Sequence, residues 1–138
     1  PPGAARGRRA PAAMRVLPLR WGAGGAPWAT PGLRAGGPRV VDRLGIAPYA
    51  LHEQCARMMI GDRLDYRYQS SVSLDFDIRY REDNAVLSPV VREQSTADSG
   101  TFEARTPERY CLVWQAGAPG AIIGYRVLLR PYRPLEDR

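Results

Sequence analysis

The strictest constraint on the fold is a run of nine residues, 72–80, in which apolar and polar side chains alternate without a break. Val72, Leu74, Phe76, Ile78 and Tyr80 fall on one side, and Ser73, Asp75, Asp77 and Arg79 on the other. Successive side chains of a strand point to opposite faces, so this pattern specifies a β-strand with one face on a core and one in water. Just upstream, Leu64, Tyr66 and Tyr68 alternate in the same way with Arg63, Asp65 and Arg67. Half-buried alternation of this kind belongs to antiparallel sheets.

The rest of the chain reads as more short strands. Gln54–Ile60 is taken as the first, ended by Gly61-Asp62. Residues 86–94 are apolar but contain Pro89, which cannot donate to a ladder and marks an edge strand or a bulge. Asp98-Ser99-Gly100 is a turn signal, and Thr101–Arg105 a strand with Phe102 inside. Thr106-Pro107-Glu108 breaks the run before Tyr110, Leu112 and Trp114 share one face, with Cys111 and Val113 on the other. After a loop at 117–120, Ile123, Tyr125, Val127 and Leu129 line a last strand that Pro131 ends. Seven or eight strands with no convincing helix predict an all-β, antiparallel β-sandwich of jelly-roll type. A two-residue turn at Ser70-Ser71 would pair core-facing with outward residues. A three-residue loop or a crossing from one sheet to the other is therefore expected there.

Charge divides the chain. It has 138 residues with 20 basic and 14 acidic side chains, and every basic one is Arg. The first 41 residues hold seven of these arginines and no acid, whereas 42–138 carry 13 arginines against 14 acids. The expected organisation is therefore a disordered tail, 1–41, and a near-neutral domain, 42–138. Gly, Ala, Pro and Arg fill 31 of those first 41 positions, a mixture that buries too little apolar surface to offset the entropy of ordering. A GC-rich coding sequence accounts for such a tail without a function. A mitochondrial leader fits its acid-free, Arg-rich character but not its lack of Ser. A secretory signal from Met14 fails because Arg20 interrupts the apolar stretch, and a flexible arm for acidic lipid or nucleic acid is the remaining reading. The chain begins at Pro1, as a piece of a longer protein would. A folded part without a basic excess argues against nucleic acid as a partner. No run of 18 apolar residues is present to span a membrane as a helix.

Candidate chemistry is sparse. His52 is the sole histidine, and with Glu53 and Cys55 it forms the nearest approach to a catalytic cluster. A spacing of three in a strand puts His52 and Cys55 on opposite faces, so catalysis is not expected and His52 reads as an ordinary exposed residue. Two Cys and one His do not close a zinc site. Asp75 and Asp77 share a strand face, but with Arg67 and Arg79 nearby they read as a solvated, charge-mixed surface. Gly22-Ala23-Gly24-Gly25 precedes no strand or helix and is no phosphate loop, so no cofactor is expected. Cys55 and Cys111 are either one bridge or two buried thiols. Tyr66, Tyr68 and Tyr80 would offer a stacking platform for bases or sugars only if exposed.

The run Ser99–Trp114, followed by Gly124-Tyr125-Arg126-Val127, resembles the C-terminal half of the GOLD (Golgi dynamics) domain. Members have a Gly-x-Phe-like strand, then Pro-Gly-x-Tyr-x-Leu-x-aromatic, then an aromatic-rich last strand. Gly61–Tyr68 and Leu74–Tyr80 look like the first half, so the resemblance spans about Cys55–Pro131. Glu108 stands where Gly is common, and Gln115-Ala116 replaces the usual Asp-Asn turn. One branch of the family carries a disulfide between an early strand and the Tyr-containing strand, which would correspond here to Cys55 and Cys111. The resemblance implies a non-enzymatic protein-interaction module of membrane traffic or lipid handling. That implies a cytoplasmic protein associated with Golgi or endosomal membranes, with a protein partner and peripheral membrane association. A carbohydrate- or lipid-binding jelly roll and a mitochondrial protein with a cleaved leader are the alternatives. Strand addition at the edge around Pro89, or at the final strand, is the expected mode of docking.

Overall fold

The computed structural model describes residues 37–133. The greater part of the expected tail, 1–36, lies outside the described residues. The described chain is all-β: β1 (Arg39–Ile46), β2 (Leu51–Met58), β3 (Arg63–Glu82), β4 (Ala85–Glu103), β5 (Glu108–Gln115) and β6 (Ala121–Arg130), with no helix among them. β1 opens at Arg39, just before the change in charge at Asp42.

All pairings are antiparallel, in the order β1-β6-β3-β5-β2, with β4 on the other edge of β3. β3 organises the sheet because it changes partners along its length. Residues 63–70 pair with β6, and residues 75–79 pair with β5. Between them, 70–73 have no counterpart on β4, where Gln69 pairs with Ala97 and Leu74 already with Ser95. The chain thus passes from one set of neighbours to another at Ser70–Ser73 within one continuous strand of one sheet, neither the three-residue loop nor the crossing between two sheets that the alternation led us to expect.

Among the described residues there are six strands, where seven or eight were expected. Leu64–Tyr68 and Val72–Tyr80 are parts of the single strand β3, and 86–94 and 101–103 are parts of the single strand β4. Among the described residues the first strand is β1, not 54–60, of which 54–58 belong to β2. Asp98-Ser99-Gly100 is strand as well. Gly100 there makes room for a ring instead of turning the chain: a Cβ on it would lie 3.1 Å from the Tyr66 hydroxyl oxygen. Asp98 accepts that hydroxyl's hydrogen bond at 2.9 Å.

The sheet curls so that its inner face closes on an aromatic core. Tyr66, Tyr68, Leu74, Phe76 and Ile78 from β3 meet Tyr110, Leu112 and Trp114 from β5 and Ile123, Tyr125 and Val127 from β6. Trp114 is fully buried and stacks on Tyr125 with ring centroids 4.5 Å apart, although β5 and β6 are not hydrogen-bonded neighbours. Phe76 links the set, 4.6 Å from Tyr68 and 5.3 Å from Trp114. Offset and tilted aromatic pairs at these separations add about 1 kcal/mol each beyond area burial. On the outer face a smaller cluster of Cys55, Cys111 and Val113 packs with Leu51.

Candidate functional site

The longest unpartnered feature is one side of β4. This strand pairs with β3 along one edge only, and none of its 19 residues is buried. Among the described residues its second edge has no strand beside it, so its backbone donors and acceptors are offered to another chain.

Two bulges break the edge. Ile78 pairs with Val90 and Tyr80 with Leu87, so Ser88-Pro89 supplies an extra residue. Phe76 pairs with Arg92 and Leu74 with Ser95, so Glu93-Gln94 likewise supplies one extra residue opposite Asp75. Gln94 is left-handed, with φ 51°, as bulges often require. The two acids singled out by sequence brace these bulges. Asp75 Oδ1 accepts from the Gln94 backbone N–H at 3.0 Å, and the Gln94 side chain accepts from Ser73. Asp77 Oδ2 accepts from the Ser88 hydroxyl at 2.9 Å while both its oxygens hold Arg79. Arg67 takes no part, because it lies on the other half of β3. Beyond the bulges, residues 97–103 run in unbroken register against 69–63 and form the regular part of the edge. At roughly 3.4 Å per residue that stretch is about 23 Å long. The final strand β6 is flanked by β1 and β3 and has no free edge, so it is excluded as a docking strand.

The expected exposed His52 is instead half-buried. Its Nε2 lies 2.9 Å from the Tyr125 hydroxyl, which also donates to Gln54 Oε1 at 3.2 Å. Burial first, and then the positive charge of Arg39, hold the His52 pKa down at about 4, so the ring is neutral at pH 7. Burial pushes the Tyr125 hydroxyl up to about 12, with Arg39 opposing. A neutral His beside an un-ionised Tyr, stacked near Trp114, is a polar tie between β2 and β6 across the core. His52 faces the core and Cys55 the outer cluster, as the spacing of three required.

Cys55 and Cys111 face each other directly in the β2–β5 ladder and are joined by a disulfide, with Cα atoms 4.0 Å apart. Glu53 approaches the same sulfurs. With both sulfurs bonded to each other they are not free thiolate ligands. Tyr66 and Tyr68 are 6% and 2% exposed, and their rings pack on Phe76. Tyr80 is half-buried against Tyr110. The three tyrosines form no exposed stacking platform. The residues that sequence reasoning missed are Arg39, Gln54 and Tyr125 around His52: Gln54 shares its strand, whereas Arg39 comes from β1 and Tyr125 from β6, 73 positions away. No protein-family model matches the chain, and no curated protein matches it.

Proposed function

We propose that the chain is a non-catalytic interaction module, a GOLD-like β-sandwich in its two-sheet form, that receives an extended segment of a partner protein along β4. The observation that carries this reading is the regular, unpartnered edge at 97–103. Strand addition there gives affinity through backbone hydrogen bonds, with alternate side chains of the incoming segment setting specificity. The bulges at Ser88-Pro89 and Glu93-Gln94, together with the Arg92–Asp98 ion pair, keep the rest of the edge from pairing indiscriminately. Chemistry of the catalytic kind has no support, because His52 is spent on Tyr125 and the cysteines on each other. Membrane traffic or lipid handling at Golgi or endosomal membranes rests on the family resemblance alone.

The test is hydrogen exchange on the full chain with and without a partner purified after capture from cell extract. The expected result is protection of amides within 97–103 on binding. A partner that binds while these amides exchange at an unchanged rate refutes the docking mode.

A further inference from the structure

The outward face of β1, β6, β3 and β4 carries a groove of about 610 Å3, within the size range of small-molecule sites. At its centre Arg67 and Arg126 stand directly opposite each other in the β3–β6 ladder, and both are exposed. Opposed residues of an antiparallel pair have Cβ atoms roughly 5 Å apart, so the two positive charges spring from neighbouring points on the sheet, and like charges directly opposite are destabilising. The acids that could relieve them are committed elsewhere. Asp65 binds Arg130 through both oxygens, at 2.7 and 2.9 Å, and also accepts from Thr101 at 2.7 Å. Asp98, in the groove lining, takes Arg92 at 3.0 Å and the Tyr66 hydroxyl at 2.9 Å. Neither Arg67 nor Arg126 has an ion-pair partner among the described residues.

The surroundings leave space above the pair. Ser99 lies opposite Arg67 on β4, and Gly124 lies opposite Gln69. Gly124 is held to glycine because a Cβ would sit 2.8 Å from the Asp42 carbonyl oxygen, so no side chain fills the groove from that position. Asp42 on the β1 rim leaves one negative charge against two positive ones.

We infer that this groove binds a phosphomonoester group between Arg67 and Arg126. Two guanidinium forks present paired N–H donors in the geometry that phosphate oxygens accept. A phosphomonoester carries about −1.5 to −2 at pH 7 and neutralises both arginines, whereas a carboxylate neutralises one. The Ser99 hydroxyl and the Gln69 amide are further donors in the same lining. This site is on a sheet face, not on the β4 edge, although Ala97, Asp98 and Ser99 of the docking segment also line it. The arginines Arg57 and Arg109 are also opposed, in the β2–β5 ladder, but lie outside the groove and serve as an internal control.

The full chain is titrated by calorimetry with inorganic phosphate, phenyl phosphate and acetate. In a second arm it is sedimented with phosphatidylcholine vesicles with and without phosphatidic acid. Phosphate or phosphatidic acid binds, acetate binds at least about tenfold more weakly, and Arg67→Gln or Arg126→Gln each weakens the phosphate probe at least about tenfold. Arg126→Lys, which keeps the charge but loses the fork, falls between. Arg57→Gln/Arg109→Gln leaves binding within about twofold. Binding of free phosphate assigns the group to a diffusible ligand, and Arg-dependent binding to vesicles alone assigns it to a lipid headgroup. The variants are checked for folding by their melting temperature, which phosphate raises in the wild type and leaves unmoved in Arg67→Gln. Binding of neither probe, equal binding by the Arg67 and Arg126 variants, or an equal loss in the Arg57/Arg109 control overturns the assignment.

Discussion

Reducing the Cys55–Cys111 bridge separates two roles it could have in this fold. The bridge links residues 56 apart in sequence and ties β2, which pairs with β5 alone, to the body of the sheet. In the chain-entropy description a loop of that length withdraws about 14 cal/mol/K from the unfolded ensemble, or about 4 kcal/mol at 25 °C. The two thiols stay buried after reduction, so little transfer energy changes with the bond. A domain of this size has a total stability of about 5–15 kcal/mol, so reduction removes a large share of it. At about 4–8 °C per kcal/mol, the melting temperature should fall by about 15–30 °C.

The assay is thermal and urea unfolding of the oxidised and reduced protein, beside Cys55→Ala, Cys111→Ala and the double variant. Either single change should cost nearly as much as the double, because each destroys the same bond. Single effects that sum to the double, or a loss on reduction below about 1 kcal/mol, would refute the reasoning. So would faster amide exchange confined to Leu51–Met58 with global unfolding unmoved, since the bridge would then only stop an edge strand from fraying.

His52 sets an acid limit on stability. Its folded-state pKa of about 4 lies below the ordinary 6.5, so between those values the unfolded chain binds a proton that the folded one refuses. Stability therefore falls as pH drops from about 6.5 to about 4, by at most about 3 kcal/mol, and His52→Gln flattens that slope in urea unfolding at pH 7, 5.5 and 4. Asp65, held below the usual carboxylate range chiefly by its hydrogen bonds from Arg130, adds its own loss only at lower pH. Gly124→Ala puts a Cβ 2.8 Å from the Asp42 carbonyl oxygen and 3.4 Å from that of Val41, so β1 must move away from β6. The expected cost is about 1–3 kcal/mol in unfolding, with faster exchange in β1. Asp75→Ala releases the Gln94 N–H and should cost about 1 kcal/mol, read as faster exchange at Gln94 with Val90–Arg92 unaffected.

Much of the fold was legible because β3 keeps its parity throughout. Leu64, Tyr66, Tyr68, Val72, Leu74, Phe76 and Ile78 are all even-numbered and all face the same core. A loop or a sheet crossing near Ser70-Ser71 is the natural reading of two serines between apolar runs, yet here they carry one continuous strand from β6 to β5. The Ser70 hydroxyl donates to the Val72 carbonyl at 2.6 Å, satisfying locally an acceptor next to the irregular stretch. Asp98-Ser99-Gly100 misled in the same manner, since turn composition also suits a strand that passes close over a tyrosine ring. β1 was hidden because Arg39–Ile46 carries a bulge between Val41 and Leu44, which shifts its alternation.

The candidate sites were less legible, for a physical reason that alternation itself supplies. Period-two patterning says which residues face outward but nothing about which outward residues become neighbours. That depends on register between strands 59 positions apart for Arg67 and Arg126, and 52 apart for Arg57 and Arg109. Net charge is equally blind to it: residues 42–138 nearly balance, with 13 arginines and 14 acids, yet pairing sets arginines face to face three times, at 67/126, 57/109 and 63/130, and only the last pair has acid partners, Glu103 and Asp65. Opposed like charges cost up to about 1 kcal/mol at an exposed ladder position. If that cost at Arg67 and Arg126 is relieved only by a bound dianion, the unliganded protein should gain stability from Arg67→Gln. The gain should shrink or reverse when phosphate is present at saturation. A variant that is destabilised in the absence of phosphate would mean that these arginines are held by the fold and not by a ligand.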